Sequence, residues 1–184
     1  MNGKIVLVTG GARSGKSSFA ERYVARLGRP VTYIATAQVL DGEMADRVAR
    51  HRGRRPADWR TVEAPYAAHE AICAAGAGVI LFDCLTLYIA NLLLSADAPA
   101  TAEQRHDRVR AGVAALIDAT ATAGATVVFV TNEVGMGIVP DNPLAREYRD
   151  LAGLANQQLA AAAAEVYLVV SGLAVDIKKI SVCP

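Results

Sequence analysis

The chain predicts an α/β fold, a mostly parallel sheet with helices on both faces. Three observations predict it. Apolar, β-rich runs alternate along the chain with longer helical stretches, the βαβα order from which such sheets are built. The runs are continuous rather than alternating in polarity, which suits strands buried on both faces. The first run, Ile5-Val6-Leu7-Val8, feeds directly into Gly10-Gly11-Ala12-Arg13-Ser14-Gly15-Lys16-Ser17, and a helical segment follows from Ser18 to Tyr23.

That segment is a complete phosphate-binding loop: Gly10, four residues, then Gly15-Lys16-Ser17. Its setting, a strand leading through a Gly-rich turn into a helix, is the one the motif needs. Glycines let backbone N–H groups turn inward around an anion, and the helix N-terminus adds partial positive charge. Lys16 is placed to reach β- and γ-phosphates, and Ser17 to hold Mg²⁺ through its hydroxyl. The fold class is thereby narrowed to the P-loop NTPase type, with a nucleoside triphosphate as ligand.

The remaining elements follow in order. Strands are expected near 4–8, 31–35, 79–82, 126–131 and 166–170, with another at 174–178. Helices are expected near 16–27, 42–51, 66–75, 102–122 and 143–164. In the last, Leu144, Tyr148, Leu151, Ala155 and Leu159 form one apolar stripe. Asp141-Asn142-Pro143 reads as a turn and helix start. Ser95 to Thr101 reads as a loop. Ligands of such sheets bind beyond the carboxyl ends of the strands, which points to Thr9–Ser17, Ala35–Gln38, Asp83–Thr86 and Thr131–Pro140.

Composition sets bounds. The chain has 184 residues, enough for one domain over 1–184 with a substantial core. A formal net charge of +1 implies neither a nucleic acid nor an acidic membrane as partner. The stretch Val79–Leu94 is interrupted by Asp83 and Asn91 and reads as core, not as a membrane span. Met-Asn-Gly-Lys runs straight into the first strand, so no signal peptide is expected. Cys73, Cys84 and Cys183 are widely spaced and form no CxxC pair. They read as incidental thiols of a reducing, cytoplasmic compartment.

Two further features carry chemistry. Val79-Ile80-Leu81-Phe82-Asp83 has the form of a Walker B strand, whose terminal carboxylate can hold Mg²⁺ on a bound nucleotide. A turn or helix cap is the structural alternative. The second feature is a basic segment in an otherwise near-neutral chain: Arg47, Arg50, Arg52, Arg54 and Arg55 surround His51. It can be a solvated helix end. Alternatively, arginines beyond the Gly53 break gather around a triphosphate. Met44, Val48 and His51 share one helical face, so His51 points with the apolar stripe. Arginines nearby disfavour imidazolium, and neutral imidazole is the form that attacks phosphorus. Trp59 packs on core or beside a nucleotide. Glu133 caps its loop or meets substrate. His69 and His106 read as solvated.

Several segments together resemble one family. They are Val8–Ser17, Tyr33-Ile34-Ala35-Thr36-Ala37, His51–Trp59, Thr131-Asn132-Glu133-Val134-Gly135-Met136-Gly137-Ile138-Val139-Pro140 and Val169–Gly172. The chain resembles the bifunctional adenosylcobinamide kinases/adenosylcobinamide-phosphate guanylyltransferases of cobalamin biosynthesis. The resemblance implies two reactions. ATP or GTP phosphorylates adenosylcobinamide. GMP from GTP is then transferred to the phosphorylated product, giving adenosylcobinamide-GDP and pyrophosphate. It implies a guanylylated histidine at His51. It puts nucleotide contacts on Thr9, Gly10, Gly11, Ala12, Arg13, Ser14, Gly15, Lys16, Ala35, Thr36, Ala37, Arg52, Gly53, Arg54, Arg55, Glu63 and Asp83, and it implies a homotrimer. An aspartate at 83 reaches one methylene less far than a glutamate would. The tail Lys179–Pro184 matches no feature of the family.

Three other classes fit less, among them a mechanical ATPase domain, which needs partner-facing elements that a single domain of 184 residues hardly carries. A simple small-molecule P-loop kinase leaves His51 without a covalent role. A GTP switch lacks Asn-Lys-x-Asp, and its DxxG match at Asp150–Gly153 falls inside an expected helix.

Overall fold

The computed structural model describes residues 3–39, 42–53 and 55–182, with the backbone alone at Glu43, Arg47, Arg50 and His51. Seven strands form one sheet in the order β3-β2-β4-β5-β1-β6-β7. They are β1 (Lys4–Thr9), β2 (Val31–Ala35), β3 (Arg60–Glu63), β4 (Val79–Asp83), β5 (Thr126–Val130), β6 (Glu165–Val170) and β7 (Leu173–Asp176). All neighbours are parallel except β6 and β7, which run antiparallel.

Helices are α1 (Lys16–Ala25), α2 (Gly42–Arg52), α3 (Ala68–Ala75), α4 (Leu85–Leu94), α5 (Ala102–Ala123), α6 (Pro143–Ala162) and α7 (Ile177–Ile180). The central strands are apolar throughout because both sheet faces are covered. Ile5, Leu7, Ile80, Phe82, Val127 and Phe129 face the cluster under α3–α6. Val6, Val8, Val79, Leu81, Val128 and Val130 face the cluster that holds Ala20 and Val24 of α1. Strand side chains alternate between faces with period two, so a run must be apolar at every position to serve both cores.

Three elements differ from the expectation. β3 is not among the expected strands. It is a four-residue edge strand, exposed at three positions, and an edge needs no apolar run. α4 was absorbed into the apolar stretch after β4. Seven of its ten residues are buried, and a helix that is apolar all round shows no periodicity. The last strand ends at Asp176, and a short helix follows it instead of further strand.

The ends of α6 match their local signals. Pro143 stands at the helix start, and the Asn142 Oδ1 accepts N–H bonds from Leu144 at 2.8 Å and Ala145 at 3.2 Å. Of its stripe, Leu151, Ala155 and Leu159 are buried and Tyr148 packs on them. Leu144, in the first turn of the helix, is exposed instead. Among the described residues no helix is long and apolar enough to cross a membrane.

Candidate active site

The phosphate-binding loop leaves β1 and ends at α1, held from three sides. Glu133 donates its backbone N–H to Gly10 O at 3.1 Å, and Gly172 donates to Ser14 O at 2.8 Å. Gly172 belongs to the two-residue turn of the β6–β7 hairpin, where Ser171 and Gly172 both have positive φ (52° and 82°), as tight hairpins require. A Cβ on Gly10 would lie 2.4 Å from Val169 O, so only glycine fits beneath that strand. Gly15 opens α1 from a left-handed conformation, φ 93°. Lys16 Nζ reaches back to Gly11 O at 3.2 Å. The hydroxyls of Thr9 and Ser14 are buried with no hydrogen-bond partner among the described residues.

The strand ends beside the loop form a row. Glu63, Ala35 and Asp83 are register partners across β3, β2 and β4, and Asp83 pairs with Val130 of β5. Glu63 accepts from Arg52 at 2.5 Å across an exposed pair. The hydroxyl of Tyr33 donates to Asp83 Oδ2. The Arg55 guanidinium lies over the Tyr33 ring, 3.3 Å from its centroid, and donates to Thr61 Oγ1 at 3.3 Å. His51 occupies the last turn of α2 by its backbone, and Gly53 N–H closes that turn onto Ala49 O at 2.9 Å. The His51 side chain and Arg54 lie outside the described residues.

Behind this row a polar web fixes the loops. Thr36 is 0% exposed, and its hydroxyl donates to Cys84 O at 2.8 Å and accepts from Cys84 N–H at 2.9 Å. Thr36 can therefore offer a ligand its place in the loop but not its hydroxyl. Asn91 of α4 donates to Thr36 O at 2.7 Å and Pro65 O at 3.0 Å, joining the loops after β2 and β3. Thr131 donates to Asn156, Asn156 to Asn132 O, and Asn132 to Thr86 Oγ1. Burial and then the Asp83 charge push the Cys84 thiol up to about 11, against a weaker pull from Lys16. Both charges thus reach the same thiol, at the foot of β4.

Of the residues singled out from sequence, Thr9–Ser17, Ala35–Ala37, Glu63 and Asp83 lie at strand ends or helix openings along one sheet edge, with Arg52 and Arg55 bonded to its strands. Trp59 packs on the α1-side core, its core role. Glu133 accepts from Gly135 N–H at 2.8 Å, its capping role. His69 and His106 are half-buried rather than fully solvated; His106 lies 3.9 Å from Glu147. Sequence reasoning put Thr86 in a site loop but missed the roles of Tyr33, Asn91 and Asn156. Tyr33 pairs with Leu81, so its reach to Asp83, two residues further along, is visible only once the register is known.

Among the described residues no three His, Cys, Asp or Glu side chains converge as a metal site. The oxygen donors expected from sequence are the Ser17 hydroxyl, near the start of α1, and the Asp83 carboxylate, at the end of β4. Few, hard oxygen ligands fit Mg²⁺ that arrives on phosphates, rather than an all-protein cage.

Residues 6–177 match the family model described as cobinamide kinase / cobinamide phosphate guanyltransferase. The chain is 48% identical over 181 residues to the bifunctional adenosylcobalamin biosynthesis protein CobU of Escherichia coli K12, covering 95% of this chain and 99% of that one. The Salmonella typhimurium CobU protein gives the same identity and coverage. The bifunctional adenosylcobalamin biosynthesis protein CobP of Pseudomonas aeruginosa is 45% identical, over 94% of this chain and 96% of its own.

Proposed function

Because the chain belongs to the cobinamide kinase / cobinamide phosphate guanyltransferase family, we propose that its one domain carries two reactions. In the first, ATP or GTP phosphorylates the hydroxyl of adenosylcobinamide. In the second, GMP passes from GTP to adenosylcobinamide phosphate, giving adenosylcobinamide-GDP and pyrophosphate. The observation that carries this reading is the row of strand ends with a phosphate loop at one end and Arg52 and Arg55 at the other.

Kinase chemistry needs positioning and charge stabilisation more than a strong base. Backbone N–H groups of Gly11–Gly15 and the α1 N-terminus hold the phosphates, and Lys16 swings from Gly11 O onto the β- and γ-oxygens. Mg²⁺, held by Ser17 and Asp83, would neutralise charge on the phosphates when bound. Guanylyl transfer proceeds through His51. A ring nitrogen attacks the α-phosphorus, a P–N bond forms, the α–β P–O bond breaks and pyrophosphate leaves. A phosphate oxygen of adenosylcobinamide phosphate then attacks the same phosphorus, and the P–N bond breaks. Arg52 and Arg55 stabilise charge on the equatorial oxygens. The unpaired, widely spaced cysteines support a cytoplasmic setting, the net charge of +1 supports an enzyme without nucleic-acid partners, and the family resemblance supports a homotrimer.

The test is direct. Adenosylcobinamide incubated with ATP should yield its phosphate, and later addition of GTP should yield adenosylcobinamide-GDP with one pyrophosphate released. Phosphate formation without the second product would reduce the protein to a simple kinase.

A further inference from the structure

We propose that Tyr33 is a positioning residue that ties the Asp83 carboxylate and the Arg55 guanidinium into one unit. The inference rests on the reading above that these two groups face the bound nucleotide. Tyr33 is 2% exposed, so its ring is fixed by the core. It stands on β2, between β3 and β4 in the sheet. The carboxylate arrives from the end of β4, and the guanidinium from the segment between α2 and β3. Tyr33 meets both, by different chemistry. Its hydroxyl donates to Asp83 Oδ2, which fixes the rotation of a carboxylate that has only two side-chain torsions. Its ring face carries Arg55 at 3.3 Å, a cation–π contact strengthened by desolvation.

A tyrosine suits the place because one side chain offers both a hydroxyl donor and an aromatic face. A lysine there would compete with Arg55, and an acid would repel Asp83. Buried Arg55 Nε has no hydrogen-bond partner among the described residues, so the stacked ring is its main anchor besides Thr61.

The two functions of the side chain can be separated. Tyr33→Phe removes the hydroxyl and keeps the ring. Tyr33→Leu removes both. Binding of a fluorescent GTP analogue is measured with Mg²⁺ and again with EDTA. Tyr33→Phe should weaken binding about tenfold in Mg²⁺, the scale of lost support to a metal-directed ligand, and leave binding in EDTA unchanged. Tyr33→Leu should weaken binding in EDTA as well, because Arg55 loses its seat. Combined with Asp83→Asn, Tyr33→Phe should add nothing further, since both act through one carboxylate. Circular dichroism and thermal melts select variants that keep the fold, and the conservative Phe variant retains the core ring. A Tyr33→Phe protein with unchanged Mg²⁺-dependent binding, or full additivity with Asp83→Asn, overturns the inference alone. A wild-type protein that binds no GTP overturns the parent reading and this inference with it.

Discussion

Lys16 is the residue on which both proposed reactions converge. It opens α1 and bonds to Gly11 O at 3.2 Å, away from both cores. Lys16→Ala should therefore leave the fold intact while removing a desolvated charge from the phosphates. Kinase and transferase rates should each fall about 100-fold or more, with the melting temperature little changed. Normal rates in a folded variant would contradict the loop assignment. Gly10 behaves oppositely, because the collision of any Cβ with Val169 O is structural. Gly10→Ala should shift the loop and destabilise the protein by about 1–3 kcal/mol, measured by urea unfolding, and should weaken GTP binding in parallel.

Among elements, α4 links core to site. Its Leu85, Tyr88, Ile89, Leu92 and Leu93 are buried in the layer of α3, α5 and α6, and its one buried amide, Asn91, donates to carbonyls of two site loops. Asn91→Ala strands both carbonyls and should cost about 1–3 kcal/mol, while raising the KM for GTP more than it lowers kcat. An unchanged KM would mean that the loops after β2 and β3 are held by other means. The same helix shows where sequence reading stops. Its ten residues carry no polar face, so no period marks them off from β4. β3, with Arg60, Thr61 and Glu63 exposed, had no apolar signal at all. By contrast, β1, β4 and β5 were legible because each serves two cores. The phosphate loop was legible because its glycines answer to local geometry. Tyr33 and Asn91 were not, since their roles depend on the register between strands and on a helix crossing, which no single segment encodes.

Across the whole molecule the two sheet ends differ in chemistry. The candidate site occupies the carboxyl ends of the parallel strands. Near the opposite end, at the start of β6, Glu165 is bonded by Lys4 at 2.5 Å, Tyr23 at 2.7 Å and Tyr167 at 2.8 Å. Burial works to raise this carboxyl, but the three hydrogen bonds outweigh it and bring it down to about 2. A lowered folded value means that its stabilisation is complete above the ordinary 4.5 and is lost as pH falls through about 2. Urea midpoints should drop across that window, and Glu165→Gln should flatten the drop. At the other end, one loop and one helix give a single sheet edge two reactions. Intact mass of the protein after incubation with GTP and Mg²⁺, followed by peptide mapping at alkaline pH, tests this. The peptide containing His51 should gain one GMP, absent in His51→Ala, whose kinase activity survives. An unmodified wild-type protein that still forms adenosylcobinamide-GDP, or undiminished labelling of His51→Ala, would contradict it.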